Sequence, residues 1–276
     1  MKSGNIYEAV VSVDLGWSPE TITRTAVAFW RPGTDPQWTE PGIISVGDLL
    51  GILACFKDER TLILLDIPIY GTEGLSKSNP FRPLDRVLLS CGIALYPSYR
   101  AGSHGRELAS HISEISSNFE VVESYPHPVH RFMWLAQSEP WCLDEALRPV
   151  AGLEYWKRSW PPKYKSGRLE TRKATFAAFL DNLGKFLPGD FSSLYPQPET
   201  RAKELAVHGD IYDALVGLKV GIEMARSSPW VLEARVEYHD GMIPILADSN
   251  LRAIWESSLS RYVQSGIFAS TPKPCI

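Results

Sequence analysis

Four aspartates and one glutamate stand where this sequence can most easily build chemistry. Asp14 closes the β-rich run Glu8-Ala9-Val10-Val11-Ser12-Val13-Asp14. Asp66 closes Leu62-Ile63-Leu64-Leu65-Asp66, an unbroken apolar run between turn signals. Glu123 ends Phe119-Glu120-Val121-Val122-Glu123, and Asp210 and Asp213 lie three apart on one face of a predicted helix. Open α/β sheets bind ligands outside the carboxyl ends of their strands, so Asp14 and Asp66 can converge there. Carboxylates that close raise one another's pKa unless a cation neutralises them. An all-oxygen donor set suits Mg2+ or Mn2+. Such an ion activates water and stabilises charge on a phosphoryl group.

Each acid also has a plainer use. Asp14 before Leu15-Gly16 can make a turn. Asp66 between Leu65 and Ile67 is harder to place, because a buried charge is costly without a partner. Gly209-Asp210-Ile211-Tyr212-Asp213 reads as a helix start, with Asp210 as N-cap and Asp213 in the first turn. That predicted helix runs to about Arg226. Ala214, Gly217 and Gly221 share the side of Asp210 and Asp213, where small residues let a helix approach a sheet closely. Leu215, Leu218 and Ile222 form an adjacent apolar stripe.

The stretch 156–173 carries seven basic residues against Glu170, with Trp156, Trp160 and Tyr164 between them. Interleaved aromatics and cations suit single-stranded nucleic acid, and Lys163, Lys165 and Arg168 are the candidate phosphate contacts. The plainer reading is a solvated loop leading into a helix with an apolar face of Phe176, Phe179 and Leu180. Tyr99 to Arg106 is a smaller basic loop. His127 and His130 lie three apart, but the sequence places no third donor for a metal. No Gly-x-Ser-x-Gly motif or phosphate-binding loop is present, which disfavours serine hydrolases and nucleoside triphosphatases.

The elements that must position these residues alternate in type. Strands are predicted at 8–14, 25–30, 43–46, 62–66 and 119–123, and a helix over 49–56. The short link between the first two strands favours an antiparallel hairpin. Residues 70–118 and 127–200 read as mainly helical insertions, the first with helices near 84–91 and 104–117. A hairpin near 235–246 and a helix near 250–262 close the chain. The expected fold is α/β, one domain over 1–276, built on a mixed sheet.

The chain has 276 residues, 44% of them hydrophobic, enough for a sizeable core. Charged residues at 22% and aromatics at 11% are not the composition of a disordered chain. A net charge of −4 means that any nucleic-acid contact must use a local basic patch. No apolar stretch approaches the length of a membrane span, so no membrane partner is expected. Met1 to Tyr7 hold no apolar signal region, and the four cysteines form no Cys-x-x-Cys pair. A reduced, cytoplasmic setting is the expectation.

Val13-Asp14-x-Gly16-Trp17, Leu65-Asp66-Ile67-Pro68, Glu123-Ser124-Tyr125-Pro126, Tyr164-Lys165 and Asp210-x-x-Asp213-Ala214-Leu215 occur in that order. Together, from about residue 8 to 247, they resemble the family known as domain of unknown function 429. That family is described as predicted nucleases of the ribonuclease H-like fold. Glu237-Tyr238-His239-Asp240-Gly241-Met242-Ile243-Pro244 is similar to its late hairpin. The resemblance implies a ribonuclease H-like sheet of five strands, the second antiparallel to its neighbours. It implies acids on strand one, strand four and the last core helix, where Asp14, Asp66 and Asp213 fall. Asp210 and Asp213 before Ala214-Leu215 are similar to the late helix of bacterial Holliday-junction resolvases.

The expected activity is therefore divalent-metal-dependent hydrolysis of phosphodiester bonds in nucleic acid. Asp14, Asp66, Asp210 and Asp213 would hold Mg2+ or Mn2+, with Glu123 as a further ligand or base and Lys165 steering phosphate. Two rivals stand beside it. One is a non-catalytic nucleic-acid-binding or assembly domain on the same fold. The other is an actin-like phosphotransferase, which would need a second copy of the first strand motif and a Gly-rich adenosine loop, and neither is found.

Overall fold

The apolar runs of the sequence pair into one mixed sheet. The computed structural model describes residues 6–16, 25–39, 45–136, 161–236 and 241–265. Strand β1 (Ala9–Leu15) pairs antiparallel with β2 (Thr25–Trp30), which pairs antiparallel with β3 (Gln37–Trp38). On its other side β1 is parallel to β4 (Thr61–Leu65), and β4 is parallel to β5 (Phe119–Glu123). The order is β3-β2-β1-β4-β5, with the second strand antiparallel to its neighbours, as expected. The interior strand β4 is buried at every position, which is why it reads as a continuous apolar run.

Alternation sends the two sets of side chains to different cores. Val11, Val13, Ile63 and Leu65 pack with Leu49 and Leu53 of α1 (Val46–Ala54) and Leu108 and Ile112 of α3 (His104–Ile115). Val10, Leu62 and Leu64 face the larger core. It is built from α4 (Pro126–Ala136), α5 (Leu169–Phe186), α6 (Ala202–Ala225), α7 (Ser249–Gln264) and the hairpin β6 (Val231–Ala234) to β7 (Ile243–Leu246). Helix α2 (Pro83–Ser90) joins this side and precedes α3 in the crossover from β4 to β5. The expected helical content of 70–118 is therefore present as that crossover. Among the described residues no helix is long and apolar enough to cross a membrane.

Three expectations change. The third strand lies at Gln37–Trp38, and the described part of the predicted 43–46 strand, Ser45 and Val46, belongs to a helix start. Ser45 instead caps α1: its Oγ accepts the Asp48 N–H at 3.1 Å, and Asp48 accepts the Ser45 N–H at 2.9 Å. Ile43 and Ile44 lie outside the described residues. The late helix begins at Ala202, with the Arg201 N–H donating to Glu204 at 2.8 Å. Gly209 and Asp210 are thus mid-helix, and Asp210 is not an N-cap. Ala202-Lys203-Glu204-Leu205-Ala206 are strong helix formers, so the helix starts before the Gly-Asp pair that mimics a start. The hairpin opens earlier than expected, at Val231.

Helix α6 sits directly on the sheet. A Cβ built on Gly221 would lie 2.4 Å from Leu64 Cδ1 and 2.6 Å from Val10 Cγ1. One on Gly217 would lie 2.3 Å from Ser12 Oγ. Alanine normally favours a helix interior over glycine by about 1 kcal/mol. Overpacking costs about 1–3 kcal/mol and should win at these two positions. Gly221→Ala and Gly217→Ala are therefore expected to lower stability in urea denaturation. Gly184→Ala, whose Cβ would meet nothing within 4 Å, should leave it equal or higher. Stabilisation by Gly221→Ala would show that the helix does not rest on the strands.

Candidate functional site

Register brings the first two acids together. Val13 pairs with Leu65, so Asp14 and Asp66 follow side by side at the carboxyl ends of adjacent parallel strands. The Asp66 N–H continues the ladder, donating to Val13 O at 2.9 Å. Both positions carry the parity of Val10, Leu62 and Leu64, which points them toward α6. The two side chains are near enough for each to shift the titration of the other. Asp210 and Asp213 come from α6 and line the same cavity of about 810 Å3.

A cation and a phenol meet these acids from the loop before α5. Lys165 Nζ is 2.6 Å from Asp213 Oδ2 and 3.7 Å from Asp210 Oδ1. Tyr164 Oη donates to Asp213 Oδ1 at 3.0 Å. The Tyr164 ring is buried against Phe176, Phe179 and Tyr212. It also lies on the α6 backbone at Gly209, where a Cβ would come within 2.7 Å of its Cε2. Gly209 is therefore a seat for Tyr164 rather than a helix start.

Electrostatics follow from this crowding. Burial, then the charges of Asp213 and Asp66, hold the Asp14 carboxyl well above the usual range, with Lys165 opposing. Burial foremost pushes Asp66 up to about 7, with Asp213 adding and the hydrogen bond from Asp14 subtracting. The Asp213 charge beside Lys165 raises the pKa of its ammonium. Burial pushes His130 down to about 3, so it stays neutral. Its ring packs edge-on against Phe179 and Tyr212, and its Nε2 has no partner among the described residues. His127 and His130 both line the cavity.

Glu123 ends β5 as expected, yet both its oxygens are engaged behind the cavity. Arg82 Nη2 donates to Oε1 at 2.6 Å and Nη1 to Oε2 at 2.7 Å. The Ile69 N–H adds a 3.1 Å bond to Oε2. Arg82 also reaches Asp85 at 2.8 Å and Tyr70 O at 2.9 Å. Glu123 does not line the cavity; it fixes the backbone at Ile69, three residues past Asp66. The sequence reading missed Arg82 and Asp85, and its only trace of them is the i,i+3 spacing across the start of α2. It also missed the Tyr164–Gly209 seat.

Of the basic candidates, Lys163 and Lys165 line the cavity and Arg168 does not. Arg168 is the exposed N-cap residue of α5. Of the predicted basic loop 99–106, Arg100 lines the cavity, while Arg106 falls in α3 and pairs with Glu73. Trp156, Lys157, Arg158 and Trp160 lie outside the described residues.

The donor chemistry fits a hard divalent cation: four carboxylates, all oxygen, around one cavity. The position of Lys165 shows that this place attracts positive charge. Among the described residues, no three His, Cys, Asp or Glu side chains stand closed around one ion position. No protein-family model, curated protein or solved structure matches the chain.

Two expectations test this geometry. Arg82→Met leaves Glu123 and Asp85 as buried acids without their cation, and should cost about 3–5 kcal/mol in urea denaturation. A loss under 1 kcal/mol would mean that water reaches the network. The second concerns pH. Asp66 titrates near 7 in the folded chain against an ordinary 3.8, so the folded state holds the proton more tightly. The Asp66 contribution to the stability of the metal-free protein should then fall as pH rises from about 4 to about 7 and level off above, with the raised Asp14 adding a fall of the same sign. Asp66→Asn should make that fall shallower, so its advantage over wild type grows between pH 5 and pH 8 in EDTA. Parallel curves would mean that Asp66 holds its proton no more tightly in the folded chain than in the unfolded one.

Proposed function

We propose that the protein is a divalent-metal-dependent nuclease or phosphodiesterase on a ribonuclease H-like fold. The observation that carries this reading is the meeting of Asp14 and Asp66, from adjacent parallel strand ends, with Asp210 and Asp213 of α6 in one cavity. The antiparallel second strand and the strand order support the same fold reading.

Asp14, Asp66 and Asp213 would hold Mg2+ or Mn2+, with Asp210 as a further oxygen donor. When bound, the ion supplies charge stabilisation at a phosphoryl oxygen and lowers the pKa of a coordinated water. The protein's own residues supply the rest. Tyr164 fixes the rotamer of Asp213. Arg82 and Glu123 hold the segment that follows Asp66. Lys163, Lys165 and Arg100 set three cations among the four acids of the cavity lining, where phosphate contacts need them. Glu123 is thereby a positioning residue in this reading, not a ligand.

A second reading keeps the cleft as a nucleic-acid-binding surface without chemistry. The observation that favours it is Lys165, which already neutralises Asp213.

The two readings separate on metal linkage. At free Mn2+ a hundredfold above its Kd, the nuclease reading expects a gain of about 2.7 kcal/mol in wild-type stability. Asp14→Asn should remove most of that gain while folding normally. Asp213→Asn should cut Mn2+-dependent cleavage of short single- and double-stranded oligonucleotides at least a hundredfold. Equal Mn2+ response in wild type and Asp14→Asn, or full cleavage by Asp213→Asn, would defeat the assignment.

A further inference from the structure

We infer that Lys165 is the resident counter-ion of the acidic cavity, and that a divalent cation enters by displacing its ammonium group from Asp213 and Asp210. The inference rests on the metal-dependent reading above and says how that site is regulated.

Three observations carry it. The first is position. Lys165 Nζ occupies the space between acids on α6, 2.6 Å from Asp213 Oδ2 and 3.7 Å from Asp210 Oδ1. Asp14 and Asp66 line the same cavity as Lys165. A dication drawn to the same acids must share that space or take it. Two cations in contact repel, and the dication gains more from each carboxylate.

The second is releasability. The Lys165 side chain is 54% exposed and sits on the loop before α5, two residues from Gly167 at φ +102°. The ammonium end of the pair faces water while Asp213 is 19% exposed, so the lysine can leave into solvent and the carboxylate stays in place. The contrast with Arg82 is direct. That guanidinium is 1% exposed and bonded to Glu123, Asp85 and Tyr70 O, with no path to solvent that leaves the acids paired.

The third is what remains after release. Tyr164 Oη holds Asp213 Oδ1 at 3.0 Å from a fully packed ring. Departure of Lys165 frees Oδ2 alone, and Asp213 keeps its orientation. A second carboxylate oxygen thus becomes available beside Asp14 and Asp66 without a change of rotamer. The displaced ammonium stays beside Lys163 at the cavity lining, where a phosphate ester would meet it.

The test reads the lysine and the metal separately. Wild-type protein is labelled briefly with acetic anhydride, with and without 10-fold excess Mg2+ over its thermal-shift midpoint, and each lysine is quantified by mass spectrometry. Lys165 should label at least threefold faster with Mg2+, and Lys163 equally in both. In parallel, Mn2+ binding is measured by calorimetry on wild type, Lys165→Met and Lys163→Met. Lys165→Met should bind at least tenfold tighter, and Lys163→Met within twofold of wild type. Unchanged or slower labelling of Lys165, in a protein whose melting temperature Mg2+ does raise, would overturn the displacement and leave the metal site standing. So would a Lys165→Met affinity no tighter than wild type. If neither wild type nor Lys165→Met binds Mn2+, the metal-dependent reading falls, and this inference with it.

Discussion

Two parallel strands in register, each with an aspartate at its carboxyl end, bring two carboxylates side by side. That constraint organises the rest of the molecule. Val13 opposite Leu65 leaves Asp14 and Asp66 no other placement, because a slip of one residue would turn every apolar side chain of β1 and β4 to the wrong core. The hydrophobic gain of the central strands therefore holds together two groups that repel. Burial is the first cause of the raised pKa of both acids; the charges of Asp213 and Asp66 add to it at Asp14, and that of Asp213 adds to it at Asp66. A fold that keeps such a pair must manage its charge, and the surrounding elements divide that work.

Helix α6 takes the largest part. It lies on β1 and β4 with glycines at 217 and 221, where side chains would collide with Ser12, Leu64 and Val10. One to three turns earlier on the same face it carries Asp213, Asp210 and Gly209. The close approach lowers the helix onto the strand ends and so adds two further acids to the pair. It also leaves room at Gly209 for the Tyr164 ring, whose hydroxyl orients Asp213. Three glycines inside one helix weaken its intrinsic propensity. Packing against the sheet restores the helix, and the glycines are the means of that packing.

Much of this was legible before any coordinates. The β-rich run of β1 and the apolar run of β4 marked the strands, and the small-residue face of α6 marked its contact with the sheet. The acids at strand ends could be named because a charge following Leu62-Ile63-Leu64-Leu65 has few uses. Local signals failed where tertiary structure decides. Gly209-Asp210 mimics a helix start, but the helix is set by Arg201 and Glu204 upstream, and Gly209 answers to a tyrosine 45 residues away. Ser45-Val46 has strand-like neighbours, yet one serine and one aspartate at cap spacing convert it to a helix start. Glu123 sits at a strand end like the other acids, and only its distance to Arg82 separates an anchor from a cavity acid. Pairings across 41 residues of chain leave no mark in spacing.

The two cations that face these acids differ in the way their chemistry requires. Arg82 presents a rigid fork, and each arm finds an oxygen: Glu123 on two nitrogens, Asp85 on two, Tyr70 O on one. Such a group is stable only while every arm is satisfied, so it serves as fixed neutralisation one layer behind the cavity. Lys165 is a point charge on a flexible stem, with one short contact and one long. It satisfies Asp213 without enclosing it, and water can replace it. Exchanging the two residues would invert the arrangement. An arginine at 165 would grip Asp210 and Asp213 as a fork and close the cavity to other cations, while a lysine at 82 would leave Asp85 or Glu123 short of a partner in a dry interior. The placement of the fork behind and the point charge in front is what lets one cluster of acids be both firmly built and open to a ligand.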